Sequence, residues 1–266
     1  MPRKGLILAY HRVNSSGEDP MAVPVEKFQA QMNYLHKKGY TSFTLEDYVA
    51  GMKQNNLPEK TVVITFDDGY RDNYLFAFPI LKQYGFRGTF FLTVAYIGTN
   101  EVLPMCREKS GPVEVEDLPL TWEQIAEMKE YGMEFGSHTC YHWHLDELPE
   151  EEMVKELTES KRCLEEKLQS KVTSFCYPSG RFDKRVKEAV CRAGYLAAVV
   201  TPRHEQPDED LYSLKRIGIY FCDAGWRFRL KTSSYFTVFR DCGLVCRLKG
   251  YMTGLRGRIK SLVWKV

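Results

Sequence analysis

No stretch of the chain reaches the roughly 18–20 consecutive apolar residues of a membrane-spanning helix, and none of its eight cysteines stands in a CxxC pair. The first absence excludes a bilayer-crossing helix from the reading. The second leaves no paired-cysteine motif to build on. No secretory leader is expected either. Met1-Pro2-Arg3-Lys4 is basic, but Gly5-Leu6-Ile7-Leu8-Ala9 is too short for a signal core and runs straight into Tyr10-His11-Arg12. The expectation is a cytoplasmic protein with reduced thiols. Strong net charge is lacking too: +2 over 266 residues argues against a nucleic-acid binder. No internal repeat is visible.

What is present is core-forming material, at 44% hydrophobic residues, in a length that suits one large α/β domain as well as two small ones. Gly5–Tyr10 and Thr61–Phe66 (Thr-Val-Val-Ile-Thr-Phe) are continuous apolar or β-branched runs, expected as strands covered on both faces. Val25–Lys38 places Phe28, Met32 and Leu35 on one helical stripe. Asn73–Tyr84 reads as a helix stopped by Gly85, and Gly88–Val94 as a strand. Thr121-Trp122-Glu123-Gln124 has the pattern of a capping box. Met133–Ser137 (strand), Pro149–Leu168 (helix), Val172–Tyr177 (strand), Asp183–Ala193 (helix) and Leu196–Val200 (strand) follow. Such alternation favours parallel strands with helices outside. Gly98–Pro119 lacks periodicity and reads as a long loop over the site.

Chemistry-bearing residues gather where strands end, the face that carries active sites in α/β barrels. Asp67-Asp68 closes the Thr61–Phe66 run and Gly69 allows the chain to turn there. One carboxylate can bind a metal while the other takes a proton from water. His138 and His142, four apart, are expected on one side of a helical turn as two metal-binding imidazoles, with Thr139 orienting one ring. His144 is an alternative ligand. His142 is preferred because Leu145 and Leu148 read as the core anchors that follow the site. The turn Tyr177-Pro178-Ser179-Gly180 offers free backbone N–H groups for an oxyanion. His11, at the end of the first strand, is a candidate general acid.

The ordered motifs Tyr-His-Arg-Val (10–13), Thr-Phe-Asp-Asp-Gly-Tyr (65–70), Gly-Thr-Phe-Phe (88–91), Ser-His-Thr-x-x-His (137–142) and Phe-x-Tyr-Pro-x-Gly (175–180) resemble those of the polysaccharide deacetylases. These are the family-four carbohydrate esterases with a NodB homology domain. The resemblance spans roughly Leu6 to Tyr220. It implies a distorted seven-stranded (β/α) barrel and metal-dependent removal of N- or O-acetyl groups from sugars. Carried over by position, it implies Asp67 as general base, Asp68, His138 and His142 as metal ligands, and the N–H groups near Ser179 and Gly180 as oxyanion donors. It also implies His11 as general acid, the role of the histidine in relatives that open with Tyr-His-x-Val. Zinc is the expected ion, with cobalt or nickel also suited to one carboxylate and two imidazoles. Two features of the family pattern are missing. The arginine before the Pro-x-Gly turn is absent, with Cys176 standing there, so either Arg12 or Arg181 is expected to partner Asp67. The late Leu-x-x-His segment is also absent, which makes His11 necessary.

Charge is unevenly placed. From Lys215 onward there are twelve Lys/Arg against two Asp/Glu, so residues 1–214 carry a net charge of −8. The chain is therefore divided into a catalytic domain at 1–230 and a basic amphipathic tail at 231–266. The tail either lies on an anionic membrane surface at the inner face, which would suit a lipid-linked glycan as substrate, or packs on the barrel with its basic face in water. Rival readings are a deformylase of a lipid-linked N-formyl amino sugar and a non-catalytic glycan-binding module.

Overall fold

A computed structural model describes residues 5–14, 19–104, 113–202, 209–233 and 236. Its strands are β1 (Leu6–Tyr10), β2 (Arg12–Asn14), β3 (Ala22–Pro24), β4 (Thr41–Phe43), β5 (Thr61–Phe66), β6 (Thr89–Leu92), β7 (Glu134–Ser137), β8 (Ser174–Cys176), β9 (Ala197–Val200), β10 (Leu214–Lys215) and β11 (Ile217–Gly218). Its α-helices are α1 (Val25–Lys37), α2 (Leu45–Gln54), α3 (Phe78–Gln83), α4 (Trp122–Glu130), α5 (Glu150–Leu168), α6 (Lys184–Arg192) and α7 (Trp226–Lys231).

The main sheet runs β10-β9-β8-β7-β6-β5-β1-β11, and every pairing in it is parallel. β10 and β11 sit at opposite ends of that order, yet only Arg216 separates them in sequence. Arg216 N–H donates to Val200 O (2.8 Å) and Ile219 N–H to Ala9 O (2.8 Å). One five-residue stave, Leu214–Gly218, therefore joins both edges and nearly closes the sheet into a barrel with helices around it. The distortion has a local cause. β6 pairs β5 only at Thr65 and Phe66, and β4 fills the vacated half at Thr61–Val63.

Inside, Phe66 stacks on Phe90 (4.6 Å between centroids) and lies 5.5 Å from Tyr10. All six β5 residues are buried, as a strand packed on both faces requires. Outside, helices begin where the sequence signals them. Thr121 and Gln124 exchange the two capping-box bonds at α4, and the Asp183 side chain accepts from Val186 N–H at α6. The expected helix over Asn73–Tyr84 is split: Asn73–Ala77 forms a π-helical turn before α3. Part of the Gly98–Pro119 loop lies outside the described residues. Its far end is held by a bridge between Pro119 and Tyr70 and by a 3-10 turn at Val115–Asp117.

α7 carries the described chain past position 230, with Phe228 buried and Lys231 Nζ donating to Gly218 O. The basic tail beyond 236, and its membrane reading, lie outside the described residues. Among the described residues, no helix is long and apolar enough to cross a membrane.

Candidate active site

Every candidate residue leaves the carboxyl end of a strand. His11 follows β1, Asp67-Asp68 follow β5, His138 follows β7 and the Tyr177–Gly180 turn follows β8. They line one cavity of about 200 Å³ with Arg216 and Tyr220.

The turn after β5 explains how neighbouring carboxylates reach the same space. Strand neighbours point to opposite faces. Asp68, however, takes φ 74° and Gly69 φ 89°, and Gly69 N–H folds back to Asp67 O (2.9 Å). Glycine is required at 69 on two counts: the left-handed backbone disfavours a side chain, and a Cβ there would meet Ile97 and Leu92 at 3.0 Å.

The histidines reach the cavity differently from the helical turn expected. Residues 138–144 form an irregular loop in which Thr139 (φ 68°) and His142 (φ 62°) are left-handed. Thr139 Oγ1 accepts from the backbone N–H of His142 (2.9 Å) rather than from a ring. Glu156, on α5, accepts from the N–H groups of Cys140 (2.9 Å) and Tyr141 (3.1 Å). The imidazoles end 4.7 Å apart between centroids. The sequence spacing was informative, but a buried carboxylate sets the geometry in place of a helical ladder.

The carboxylate–imidazole set fits a divalent ion. Asp68 Oδ1 is buried without a hydrogen-bond partner. His138 Nε2 lies 3.4 Å from it and His142 Nε2 3.6 Å. Metal–ligand bonds of about 2.0–2.1 Å in a tetrahedral site leave ligand atoms roughly 3.3–3.4 Å apart. His138 Nδ1 lies 2.8 Å from Cys176 O. A carbonyl only accepts, so Nδ1 carries a proton and Nε2 is the nitrogen that faces Asp68. Against its burial, the neighbouring Cys176, Asp68 and Asp67 raise the His138 ring well above the usual imidazole range, so an ion there would take the place of the proton on Nε2. Burial, then the neighbouring His138, pushes His142 down to about 4, so its ring is neutral near pH 7. Asp67, His138 and Cys176 also lie within ligand range of one another. A guanidinium bound to two of the three opposes a cation there.

That guanidinium belongs to Arg216. It grips Asp67 with both arms, Nη1 to Oδ1 at 2.7 Å and Nη2 to Oδ2 at 2.6 Å. It also donates to Thr65 Oγ1 (2.9 Å) and contacts Cys176 Sγ (3.1 Å). Burial alone would raise the Asp67 carboxyl. The charge and hydrogen bonds of Arg216, with help from His11 and His138, instead hold it well below the usual carboxylate range. The two arginines expected in this role are elsewhere. Arg12 is buried against Asp72 (2.8 Å) and Asp117 (2.7 Å). Arg181 pairs with Asp146 (2.9 Å) and Glu147 (2.6 Å). In the sequence Arg216 stands only as one of the twelve basic residues from Lys215 onward, within the 1–230 domain and with no role expected of it. The signal was an arginine framed by Leu214, Ile217 and Ile219, a strand-like pattern.

His11 Nε2 stands 3.7 Å from Asp67 Oδ2, and its buried Nδ1 has no hydrogen-bond partner. Asn73 Nδ2 fixes its backbone by donating to His11 O (3.0 Å). In the β8 turn, Gly180 N–H is committed to Tyr177 O (3.0 Å), which removes it as an oxyanion donor. Ser179, at φ 57°, is the turn residue left to present its N–H. His144 is not beside Asp68. Its Nε2 contacts Ser179 Oγ (3.1 Å) and its Nδ1 contacts Arg181 Nη1 (3.2 Å).

Residues 54–198, more than half of the chain, match the family model described as polysaccharide deacetylase. The chain belongs to the polysaccharide deacetylase family. Members are hydrolases acting on carbon–nitrogen bonds, and this polysaccharide deacetylase is accordingly an enzyme of that class. It is 33% identical over 220 residues to the Bacillus subtilis (strain 168) protein YxkH, which is named for the same family, covering 82% of this chain and 72% of that one. It is 25% identical over 238 residues to the poly-β-1,6-N-acetyl-D-glucosamine N-deacetylase of Staphylococcus epidermidis, covering 80% and 78%. Among solved structures, Streptococcus pyogenes deacetylase PplD in complex with acetate superposes with a TM-score of 0.74 at 28% identity, covering 88% of this chain and all of that one. This likeness agrees with the distorted barrel described above.

Proposed function

We propose that this polysaccharide deacetylase removes N-acetyl groups from hexosamine units of a polysaccharide, using one divalent ion held by Asp68, His138 and His142. The observation that carries the reading is the junction at Asp67. An ionised carboxylate fixed by Arg216 stands beside a second, hydrogen-bond-free carboxylate oxygen that faces two imidazoles. The relatives support the substrate class, since the Staphylococcus epidermidis protein is named for poly-β-1,6-N-acetyl-D-glucosamine. The name of PplD, solved with acetate, supports the acyl group.

The ion would supply Lewis acidity toward the acetamide and its attacking water, and zinc fits the donor set. The chain supplies the rest. Asp67 takes a proton from the water as its oxygen bonds to the carbonyl carbon. Ser179 N–H donates to the carbonyl oxygen as negative charge gathers on it. His11, protonated, gives a proton to the nitrogen as the C–N bond breaks, leaving acetate and a free amine. Arg216 does not touch substrate in this scheme. It keeps Asp67 ionised and aimed, with both carboxylate oxygens anchored.

The test is acetate release from N-acetylated glucosamine oligomers, run with metal analysis of the same protein. Asp67→Asn is expected to keep the ion and lose turnover by on the order of 10²–10⁴. Asp68→Asn is expected to lose both. An Asp67→Asn protein with near-normal turnover would remove the base assignment. Formate release from an N-formyl sugar, with no acetate from the acetylated one, would replace the acyl group.

A further inference from the structure

The loop that carries His142 also presents two aromatic rings to water. Tyr141 is 45% and Trp143 48% exposed, and their rings stack with centroids 5.1 Å apart at 25°. Single exposed aromatics are ordinary. A stacked exposed pair on either side of His142 is less so, because the described fold gains nothing from leaving it wet. One ring face of each is spent on the other. Trp143 also lines a hollow of about 460 Å³, which it shares with His142, His144, Glu147, Leu148 and Glu152. His142 lines the catalytic cavity as well, so the two spaces adjoin at a residue of the proposed ion site.

We infer that this hollow is a second saccharide subsite, holding the pyranose ring of the unit next to the one being deacetylated. The inference rests on the polysaccharide deacetylase reading above and extends it from one sugar to two. Its chemistry is amphipathic in the way a pyranose is. The sugar ring has an apolar face of C–H groups, which an indole face covers, and hydroxyls around its edge, which carboxylates accept. Trp143 supplies the first, and Glu147 and Glu152 supply the second. Glu147 is held in place by Arg181 (2.6 Å). Because His142 lines both spaces, the stacked unit is placed next to the reacting one.

The experiment compares two substrates that differ in reach. An N-acetylglucosamine oligomer of at least four units spans both spaces. An aryl acetate fills only the catalytic cavity. Trp143→Ala is expected to lower kcat/KM for the oligomer by about five- to tenfold more than for the aryl acetate, mostly through KM. Trp143→Phe, which keeps an aromatic face, is expected to recover most of the difference. Equal losses on both substrates, or no loss on the oligomer, would overturn the subsite. Wild-type protein that cleaves neither substrate would strike the deacetylase reading instead. In that event calorimetric titration with the deacetylated oligomer still decides the subsite: unchanged affinity in Trp143→Ala removes it, and weakened affinity sustains it.

Discussion

Arg216 and Asp67 are the pair on which the proposed proton transfer depends, and neither is replaceable by charge alone. Both are almost wholly buried, so removing one leaves the other as an unpaired interior charge, a loss of about 3–5 kcal/mol. A lysine would keep the charge but lose the two-armed grip that aims the carboxylate. Arg216→Lys is therefore expected to fold and bind the ion, yet to lose on the order of 10²-fold in kcat, the scale of a small misplacement at a reacting centre. Acetate release with metal analysis checks it, and an unchanged kcat would mean that the aim of Asp67 does not matter. His144 raises a similar question one step further out. Arg181 can only donate, so His144 Nδ1 accepts and its Nε2–H donates to Ser179 Oγ. That chain braces a turn residue held at φ 57°. His144→Ala is expected to lower kcat several-fold, on the order of one lost hydrogen bond, while metal content stays unchanged. A reduced ion content would place His144 at the metal after all.

Strand ends and their turns were readable from the sequence, and cross-chain partnerships were not. Thr61–Phe66 with Asp-Asp-Gly after it announces both a strand and its site because each cue is local: β-branching, adjacent carboxylates, a glycine. The His138–His142 spacing was also local, but it suggested a helical turn. The loop is shaped instead by Glu156, which accepts two of its N–H groups from another element, and no spacing rule records that. Arg12 shows the same limit. Beside His11 it looked like part of the site, yet it joins the start of β2 to the π-helical turn through Asp72 and to the Val115–Asp117 turn through Asp117. Two buried carboxylates face one buried guanidinium there, and burial, against the pull of Arg12, pushes Asp72 up to about 7. The sign of the linkage follows. A carboxyl whose folded value is raised favours the protonated form in the native state. Its stabilising contribution is full below the unfolded value of about 3.9 and is lost as pH rises through about 7. Asp72→Asn cannot lose a proton, so its stability relative to wild type is expected to improve as pH rises from about 4 to about 7. Thermal unfolding of both proteins across that range checks it, and a gap that stays constant with pH would show that Asp72 is ionised throughout.

Closure of the barrel and assembly of the site are one event in this chain. The stave Leu214–Gly218 hydrogen-bonds to both sheet edges, and the residue at its break, Arg216, reaches across to the end of β5. The sequence could not show this, because the contact joins positions 149 residues apart. The proposed ion adds a second tie. Asp68 follows β5 and the two histidines follow β7, with β6 lying between these strands, so an ion held by all three would span the sheet rather than a single loop. A ligand that binds only the folded state stabilises it by about 2.7 kcal/mol at a hundredfold excess over Kd. For a chain of this size that is a rise in Tm of roughly 5–10 °C. Adding zinc to metal-stripped wild-type protein is expected to produce such a rise, and a chelator to reverse it. His142→Ala is expected to lose most of the shift and Asp67→Asn to keep it, because only the first removes a proposed ligand. A shift that survives His142→Ala in full would place the stabilising ion somewhere other than between β5 and β7.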